Sequence, residues 1–221
     1  MPLLQVALDL WDREKAKDLA CRLSPFVDIV EVGTPLLLAF GLSVVEEIRA
    51  VLGKKLLFVD AKIVDAGREE AEAVFKRGGD IVSVLWGASF PTLRGVREVA
   101  EEYGKKWMVD TVDLFPGGEK RIDLVAELQP DFVGLHLSHD VASREKTPWS
   151  FVDFSPFLER GLSLALAGGI TLEVLPRLLR EVRPQVVVVG SAITLSPHPE
   201  REAEIFRRVL HEFSGESLSG S

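Results

Sequence analysis

Cysteine is almost absent from this 221-residue chain: Cys21 is the only one, so an intrachain disulfide framework is excluded. Chains without disulfides are usual in a reducing compartment, and we therefore expect a cytoplasmic protein. Long apolar runs are also missing, since none reaches the roughly 18 residues that a membrane span requires. The first residues do not resemble a signal peptide. We therefore predict that the protein has no membrane partner.

An excess of positive charge is missing as well. The chain has 26 Lys and Arg against 34 Asp and Glu, which gives a formal net charge of −8. A broad surface for nucleic acid is therefore not expected, and we predict no nucleic-acid partner. A local pocket for an anionic ligand is still compatible with this charge, because backbone amides bind phosphate without help from net charge.

Eight short runs of apolar, often β-branched residues recur along the chain, most of them separated by helical patterns. Such runs are typical of strands buried on both faces of a parallel sheet. They are residues 3–9, 27–33, 55–62, 80–86, 106–112, 131–137, 162–168 and 185–190. Eight strand–helix units in one chain of this length predict an α/β fold, a single-domain (β/α)8 TIM barrel over residues 1–213. A doubly wound open sheet is the alternative.

Two segments stand apart from this alternation. The end of the chain, residues 214–221, is small and polar, and we expect a frayed tail there. The longest irregular connection, residues 138–150, follows the sixth predicted strand. We interpret it as a candidate active-site lid, because long connections in compact domains are often functional.

Polar residues interrupt the apolar runs at the carboxyl end of one strand after another. In a TIM barrel this end carries the active site. The residues are Asp9, Glu31, Asp60, Lys62, Asp65, Asp110, Thr111, His136, Gly168, Gly169, Gly190 and Ser191. One such residue alone is commonly a loop cap or part of an ion pair. Their convergence on one rim from strand after strand predicts an active site.

The third run ends in DAKIVDAG, which brings Asp60, Lys62 and Asp65 close together in the chain. Residues two apart in a strand point the same way, so Asp60 and Lys62 are expected to face the barrel interior. A buried ammonium is costly unless carboxylates surround it. The motif predicts either a structural ion-pair network or a charged array that holds the ammonium beside a reacting substrate.

Glu31 and Asp60 lie on neighbouring predicted strands and are candidates to share a divalent cation. Two carboxylates completed by substrate oxygens and water suit Mg²⁺. The chain has neither a cysteine cluster nor a histidine pair of the kind that binds zinc. We therefore predict a Mg²⁺ site at these two residues.

Glycine-rich turns follow the seventh and eighth strands, at Gly168 and Gly169 and at Gly190 and Ser191. Such turns free backbone N–H groups for a phosphate, with a helix N-terminus behind them. The plain alternative is that the first of them is only a turn. We predict a phosphate cradle formed by both.

Taken together, these motifs resemble the orotidine 5′-phosphate decarboxylase suprafamily. The finer resemblance is to its sugar-phosphate branch, the 3-hexulose-6-phosphate synthases and the 3-keto-L-gulonate-6-phosphate decarboxylases. The matching pieces, in chain order, are ALD (7–9), VEVGTP (30–35), DAKIVDAG (60–67), HLSHD (136–140), AGGI (167–170) and VVGSAIT (188–194). True orotidylate decarboxylases usually continue the lysine motif with Ile-Pro-x-Thr, which this chain lacks.

The resemblance implies a role for each matching residue. It implies that Lys62 stabilises an enediolate oxygen and that His136 moves protons to and from that intermediate. It also implies a homodimer with shared active sites, in which Asp65 reaches into the partner's site. The remaining implied roles are Mg²⁺ binding by Glu31 and Asp60, contact of Asp9 with a substrate hydroxyl, and phosphate binding by Gly168, Gly169, Gly190 and Ser191.

Three positions bear on which reaction the resemblance implies. Asp110 matches the synthases, where the decarboxylases typically have Glu. His139 departs from both patterns, since decarboxylases typically have Arg there and synthases often Tyr. Ser191 also departs from both. The sequence favours a Mg²⁺-dependent synthase that joins formaldehyde to ribulose 5-phosphate through a 1,2-enediolate.

Two other functions stay open. The first is a decarboxylase of 3-keto-L-gulonate 6-phosphate, which passes through the same kind of intermediate. The second is a sugar-phosphate-binding protein without turnover. Costly buried charges argue against the second, because a protein that only binds has no reason to keep them.

Overall fold

The computed structural model describes residues 1–113, 119–144, 149–150 and 152–216. Each of its eight strands pairs in parallel with the next, and the last pairs with the first, so the barrel is closed. The predicted TIM barrel is confirmed, and the open sheet is wrong. The strands are β1 (Leu3–Leu8), β2 (Ile29–Val32), β3 (Leu56–Ile63), β4 (Ile81–Leu85), β5 (Lys106–Asp110), β6 (Phe132–His136), β7 (Leu164–Ala167) and β8 (Val186–Val189).

Amphipathic helices cover the outside of the barrel. The first buries Ala16, Leu19, Ala20 and Leu23, which recur at helical spacing and so form one apolar stripe. No helix in the described ranges is long and apolar enough to cross a membrane. The helices are α1 (Arg13–Leu23), α2 (Thr34–Phe40), α3 (Ser43–Leu52), α4 (Gly67–Phe75), α5 (Phe90–Tyr103), α6 (Glu119–Leu128), α7 (His139–Ala142), α8 (Ser155–Leu158), α9 (Leu175–Val182), α10 (Ser191–Thr194) and α11 (Pro199–Glu216).

The last helix and the long connection differ from the sequence-based expectation. Helix α11 continues to Glu216, so residues 214–216, which were assigned to the polar tail, belong to the helix. Residues 217–221 lie outside the described part of the chain. The predicted lid begins with the short helix α7, and its residues 145–148 also lie outside the described ranges.

Every second side chain of a strand points into the barrel, and these inward side chains form an apolar layer and a polar layer. The layer toward the strand starts is apolar. It contains Ala7, Ile29, Phe58, Ile81, Met108, Ala165, Val186 and Val188. The layer toward the strand ends carries charged and polar side chains, several of them almost fully buried. The apolar floor therefore excludes water beneath the charged layer.

The residue immediately before each even-numbered strand uses its side chain to hold the preceding odd-numbered strand, and we call these four residues clamp residues. The side chain of each clamp residue accepts a hydrogen bond from a backbone N–H near the start of that odd-numbered strand. The pairs are Asp28 with Leu4 at 2.9 Å, Asp80 with Leu57 at 2.9 Å, Asp131 with Trp107 at 3.1 Å and Gln185 with Leu164 at 2.6 Å. Buried backbone donors need such partners where the ladder begins.

Three clamp residues also bond the strand on their other side through the main chain. Their carbonyl oxygens accept hydrogen bonds from backbone N–H groups. The pairs are Asp28 with Leu56 at 3.4 Å, Asp80 with Lys106 at 3.0 Å and Gln185 with Leu3 at 2.8 Å. Each of these residues therefore joins two strands that flank its own. Gln185 joins β7 to β1, so it helps to close the barrel where the last strands meet the first.

Replacing Asp80 by alanine is expected to lower the free energy of unfolding by about 2–3 kcal/mol. The N–H of Leu57 would lose its acceptor, and Arg49 and Lys105, now 3.0 and 2.6 Å from the carboxylate, would lose their partner. Urea denaturation measures the change. Asp123→Ala is the control, because Asp123 is in an exposed ion pair with Arg160 and should cost less than about 1 kcal/mol. Equal losses would contradict the clamp.

Candidate active site

Strand β3, which carries Asp60 and Lys62, is irregular near its carboxyl end. Val59 pairs with Val82 and Ile63 pairs with Val84, so β3 carries two extra residues over that span. Lys62 lies in this bulge with a φ of 47°, which is uncommon for a residue with a side chain. Its backbone N–H donates to Ser83 Oγ at 2.9 Å. Bulges redirect side chains near active sites, and this one aims Lys62 across the barrel mouth.

The Lys62 ammonium lies between two carboxylates. Its Nζ is 2.9 Å from Asp60 Oδ2 and 2.7 Å from Asp110 Oδ2. Burial alone would lower the pKa of Lys62, but the charges and hydrogen bonds of these two carboxylates raise it above its ordinary value. Lys62 is therefore a fixed positive charge. The structure brings Asp60 and Lys62 together as expected, although through the bulge and not through regular strand alternation.

Asp110 connects the lysine to a histidine. Its two carboxylate oxygens are each 3.2 Å from Nδ1 of His136. Burial favours the neutral imidazole, but the bond and charge of Asp110 outweigh it and raise the pKa of His136 above its usual value. Burial works against ionisation of Asp110 as well, yet His136 and Lys62 hold the pKa of Asp110 below its usual value. Among the described residues, none is hydrogen-bonded to the other ring nitrogen of His136, which leaves it for a ligand in the mouth.

Asp60 is held by two hydroxyl groups as well as by the lysine. Ser83 Oγ donates to its Oδ1 at 2.9 Å, and Thr34 Oγ1 donates to its Oδ2 at 2.8 Å. The strand patterns alone do not point to Ser83. The available signal was a lone polar residue inside the apolar run of β4.

Glu31 is buried beneath Asp60 and Lys62 and accepts a hydrogen bond from a side-chain amide inside the barrel. Gln5 Nε2 donates to Glu31 Oε2 at 2.6 Å. Burial, and then the carboxylates of Asp60 and Asp9, hold the pKa of Glu31 well above its usual value. The sequence signal for Gln5 was its spacing of four residues from Asp9, because residues four apart in an extended segment point the same way.

Asp9 lies at the mouth between two glycines. A Cβ atom on Gly33 would overlap Asp9 Oδ1, and one on Gly190 would come within 3.7 Å of Oδ2. Burial and the charge of Asp60 raise the pKa of Asp9, while the positive forms of His136 and His139 act against this rise. His139, at the start of α7, therefore also lies within electrostatic reach of the mouth.

The carboxylates at the mouth bear on whether the site can hold Mg²⁺. Within the described ranges, no group of three or more His, Cys, Asp or Glu residues is arranged to hold a metal ion. The carboxylate of Asp60 nevertheless raises the pKa of Glu31, and a divalent cation would relieve that repulsion. Their hard oxygens suit Mg²⁺ with water and substrate as further ligands. Two carboxylates therefore fit the cation, provided that a ligand completes its shell.

Asp65 is not part of this cluster. It is exposed beyond the end of β3, and its Oδ1 accepts the backbone N–H of Ala66 at 2.8 Å. Among the hydrogen bonds and ion pairs of the described residues, none joins Asp65 to Lys62. Its predicted role in a partner's site remains a prediction.

The two glycine turns adjoin each other at the rim. Gly168 has a φ of 92° and Gly169 one of 62°, which favour glycine at both positions. A Cβ atom on Gly168 would also overlap the carbonyl oxygen of Leu137. Gly190 precedes α10, which begins at Ser191. The structure therefore places the four predicted phosphate-binding residues after two neighbouring strands.

Known proteins resemble this chain over most of its length. The family model described as "Orotidine 5'-phosphate decarboxylase / HUMPS family" matches residues 2–206. The 3-hexulose-6-phosphate synthase of Methylomonas aminofaciens is 34% identical over 205 residues, which cover 92% of this chain and 96% of that protein. The synthase of Mycobacterium gastri is 33% identical over 211 residues, which cover 94% and 99%.

Solved structures agree in fold. The 3-hexulose-6-phosphate synthase from Salmonella typhimurium superposes with a TM-score of 0.87 at 31% identity and covers 96% of this chain and 99% of its own. KGPDC from Streptococcus mutans, solved as a complex, superposes with a TM-score of 0.88 at 25% identity, covering 96% and 98%. This chain is thus similar along almost its whole length to both kinds of protein.

Proposed function

The chain belongs to the orotidine 5′-phosphate decarboxylase / HUMPS family, and we propose that it is a carbon–carbon lyase that joins formaldehyde to ribulose 5-phosphate with the help of Mg²⁺. The observation that carries this proposal is the array in which Lys62 is held between Asp60 and Asp110, beside His136. Curated relatives named 3-hexulose-6-phosphate synthase support the choice of reaction.

The first step is removal of a proton from C1 of ribulose 5-phosphate. The free ring nitrogen of His136 takes this proton, and the C–H electron pair forms the C1–C2 double bond of an enediolate. The carbonyl π electrons move to the C2 oxygen, where the Lys62 ammonium stabilises the developing negative charge. A cation held by Glu31 and Asp60 would supply further positive charge to stabilise the enediolate.

The second step forms the new bond. The electron pair of the C1–C2 double bond forms the new bond from C1 to the carbon of formaldehyde, and the carbonyl at C2 is restored. The π electrons of formaldehyde move to its oxygen, which becomes an alkoxide. His136, now protonated, returns its proton to that oxygen, so the group ends the cycle as it began. Asp9 orients a substrate hydroxyl, and the N–H groups at Gly168, Gly169, Gly190 and Ser191 bind the phosphate.

A specific observation also favours the decarboxylase as a second candidate. KGPDC from Streptococcus mutans is as close in fold as the synthases are. Loss of CO₂ from 3-keto-L-gulonate 6-phosphate leaves an enediolate that the same Lys62 would stabilise, and protonation by His136 would complete the reaction. Asp110, where the decarboxylases typically have Glu, supports the synthase.

Two parallel assays test the proposal. The protein is mixed with Mg²⁺, ribulose 5-phosphate and formaldehyde, and loss of formaldehyde is followed. In the second assay, release of CO₂ from 3-keto-L-gulonate 6-phosphate is followed. We expect turnover in the first assay. Turnover only in the second would favour the decarboxylase, and silence in both, with ribulose 5-phosphate bound, would favour a binding protein.

Removal of divalent cations is expected to abolish the activity, and Mg²⁺ is expected to restore it. Asp60→Asn should weaken Mg²⁺ binding, measured by calorimetry in the presence of ribulose 5-phosphate, because the site loses one of two ligand charges. Asp123→Asn, on the outer surface, is the matched control. Full activity after exhaustive chelation would refute the metal site.

A homodimer with shared sites is the assembly that we propose, because Asp65 lies exposed beyond its strand and outside the cluster around its own Lys62. Lys62→Ala and Asp65→Ala are expected to be inactive alone. After subunit exchange, a heterodimer would regain one site free of both changes, and we expect activity to recover to at most half of the native value per dimer. Absence of recovery, with exchange shown by mass spectrometry, would contradict a shared site.

A further inference from the structure

We infer that Trp149 positions the phosphate-binding turn after β7; this inference rests on the phosphate cradle proposed above. Trp149 lies in the connection between β6 and β7, yet it is buried in the layer between barrel and helices. Its indole Nε1–H donates to the carbonyl oxygen of Gly168 at 3.0 Å. The connection therefore holds the turn directly.

The Gly168 backbone is fixed on two sides. On one side it touches the carbonyl oxygen of Leu137 so closely that a side chain would not fit. On the other side its own carbonyl oxygen is bonded by Trp149. With a φ of 92°, Gly168 has adopted a conformation that costs other residues energy, and the two contacts select it from the many open to glycine.

The direction of the next N–H group follows from this bond. A trans peptide is planar, so the carbonyl of Gly168 and the N–H of Gly169 point in opposite directions. The indole draws the carbonyl toward the buried layer outside the barrel. The N–H of Gly169 is thereby aimed away from that layer, toward the mouth where the phosphate is proposed to bind.

Trp149 is itself held in place by an aromatic neighbour. Its ring stacks on Phe154 with a centroid distance of 6.2 Å and an interplanar angle of 22°. Phe154 is buried and precedes helix α8. The indole is thus preorganised, so that little freedom is lost when a ligand uses the turn.

Trp149→Phe keeps an aromatic ring on Phe154 and removes only the N–H donor. We expect the affinity for inorganic phosphate and the KM for ribulose 5-phosphate each to worsen about three- to tenfold, the usual effect of one hydrogen bond. The kcat should change little, because the reacting atoms are not touched. Trp107→Phe makes the same chemical change near the start of β5, far from the turn, and should leave both values unchanged.

Nuclear magnetic resonance gives a readout that a general loss of packing would not imitate. Inorganic phosphate should shift the amide resonance of Gly169 in the native protein, and this shift should shrink in Trp149→Phe but persist in Trp107→Phe. In the native protein the indole N–H of Trp149 should also move on phosphate binding, since bonds in a chain polarise one another. That measurement needs no variant to fold.

Each outcome decides something different. Equal phosphate affinity and an equal Gly169 shift in Trp149→Phe and the native protein would overturn the role of Trp149. Equal weakening in both tryptophan variants would also overturn it, because the effect would then be one of packing. A native protein that binds ribulose 5-phosphate without any shift at Gly169 would overturn the cradle on which this inference rests. Formaldehyde turnover under those conditions would leave the proposed reaction standing.

Discussion

Lys62→Met is expected to lower kcat/KM for ribulose 5-phosphate and formaldehyde by a factor of about 10²–10³, the usual cost of one preorganised donor at a developing oxyanion. Methionine keeps much of the length and bulk of the side chain but removes the ammonium. Asp60 and Asp110 then face each other without the charge that lies 2.9 and 2.7 Å from them. Steady-state kinetics at saturating Mg²⁺ measures the loss.

The matched control is Lys76→Met, which removes an ammonium from an exposed pair with Glu72 on the outside of the barrel. We expect native kinetics from it. The Lys62 variant should also be checked for folding by circular dichroism, because two unbalanced carboxylates at the mouth add repulsion. Near-native kcat/KM in a folded Lys62→Met protein would show that this ion-pair network serves the structure alone.

His136→Asn is expected to lower kcat by a factor of about 10²–10⁴, the usual contribution of a general acid–base group. Asparagine retains a polar contact with Asp110 but cannot take a proton from C1. Affinity for inorganic phosphate should be kept, because the glycine turns are untouched. His139→Asn is the comparison: this residue lies near the mouth, but Asp110 orients His136 and not His139, so its loss should cost less. A larger loss at position 139 would mean that the proton carrier is the other histidine.

The pH dependence gives an independent check on the same group. His136 must be neutral to act as a base, and its pKa is raised by Asp110. Below that pKa the imidazolium dominates, so kcat/KM should rise with pH through a value above 6.5. The same raised pKa gives stability that is present at low pH and lost as pH rises through it. A limb in kcat/KM that persists unchanged in His136→Asn would assign it to another group.

The sequence was sufficient for the barrel because each strand is a continuous apolar run and the runs alternate with helical stripes. The meeting of polar side chains at the mouth could also be predicted from the sequence, because Glu31, Asp110 and His136 lie on the interior face near the ends of regular strands. Regular alternation could not reveal the bulge at Lys62, because two extra residues leave no mark in an apolar pattern. The hydrogen-bonding roles of Ser83 and Gln5 depend on register between strands, which a single strand does not encode.

Asp65 shows a different limit. The resemblance implies that it reaches into a partner's site, and the turn that ends β3 leaves it exposed to solvent. Whether it acts there depends on a second chain, and no local pattern within one sequence contains the partner's geometry. The four clamp residues show the converse. Asp28, Asp80 and Asp131 look like ordinary strand-leading acids until their partners on the neighbouring strands are known.

The four clamp residues connect neighbouring strands by the same kind of hydrogen bond at four places around the barrel. They recur roughly every fifty residues, and each precedes an even-numbered strand and bonds the odd-numbered strand before it. The joint at Gln185 that links β7 to β1 is built like the joints at Asp28 and Asp80. Covalent continuity is therefore not what closes the ring. A circularly permuted chain, opened in the exposed turn at Gly53 and spliced at the present ends, is expected to reassemble the same mouth with the same charges around it.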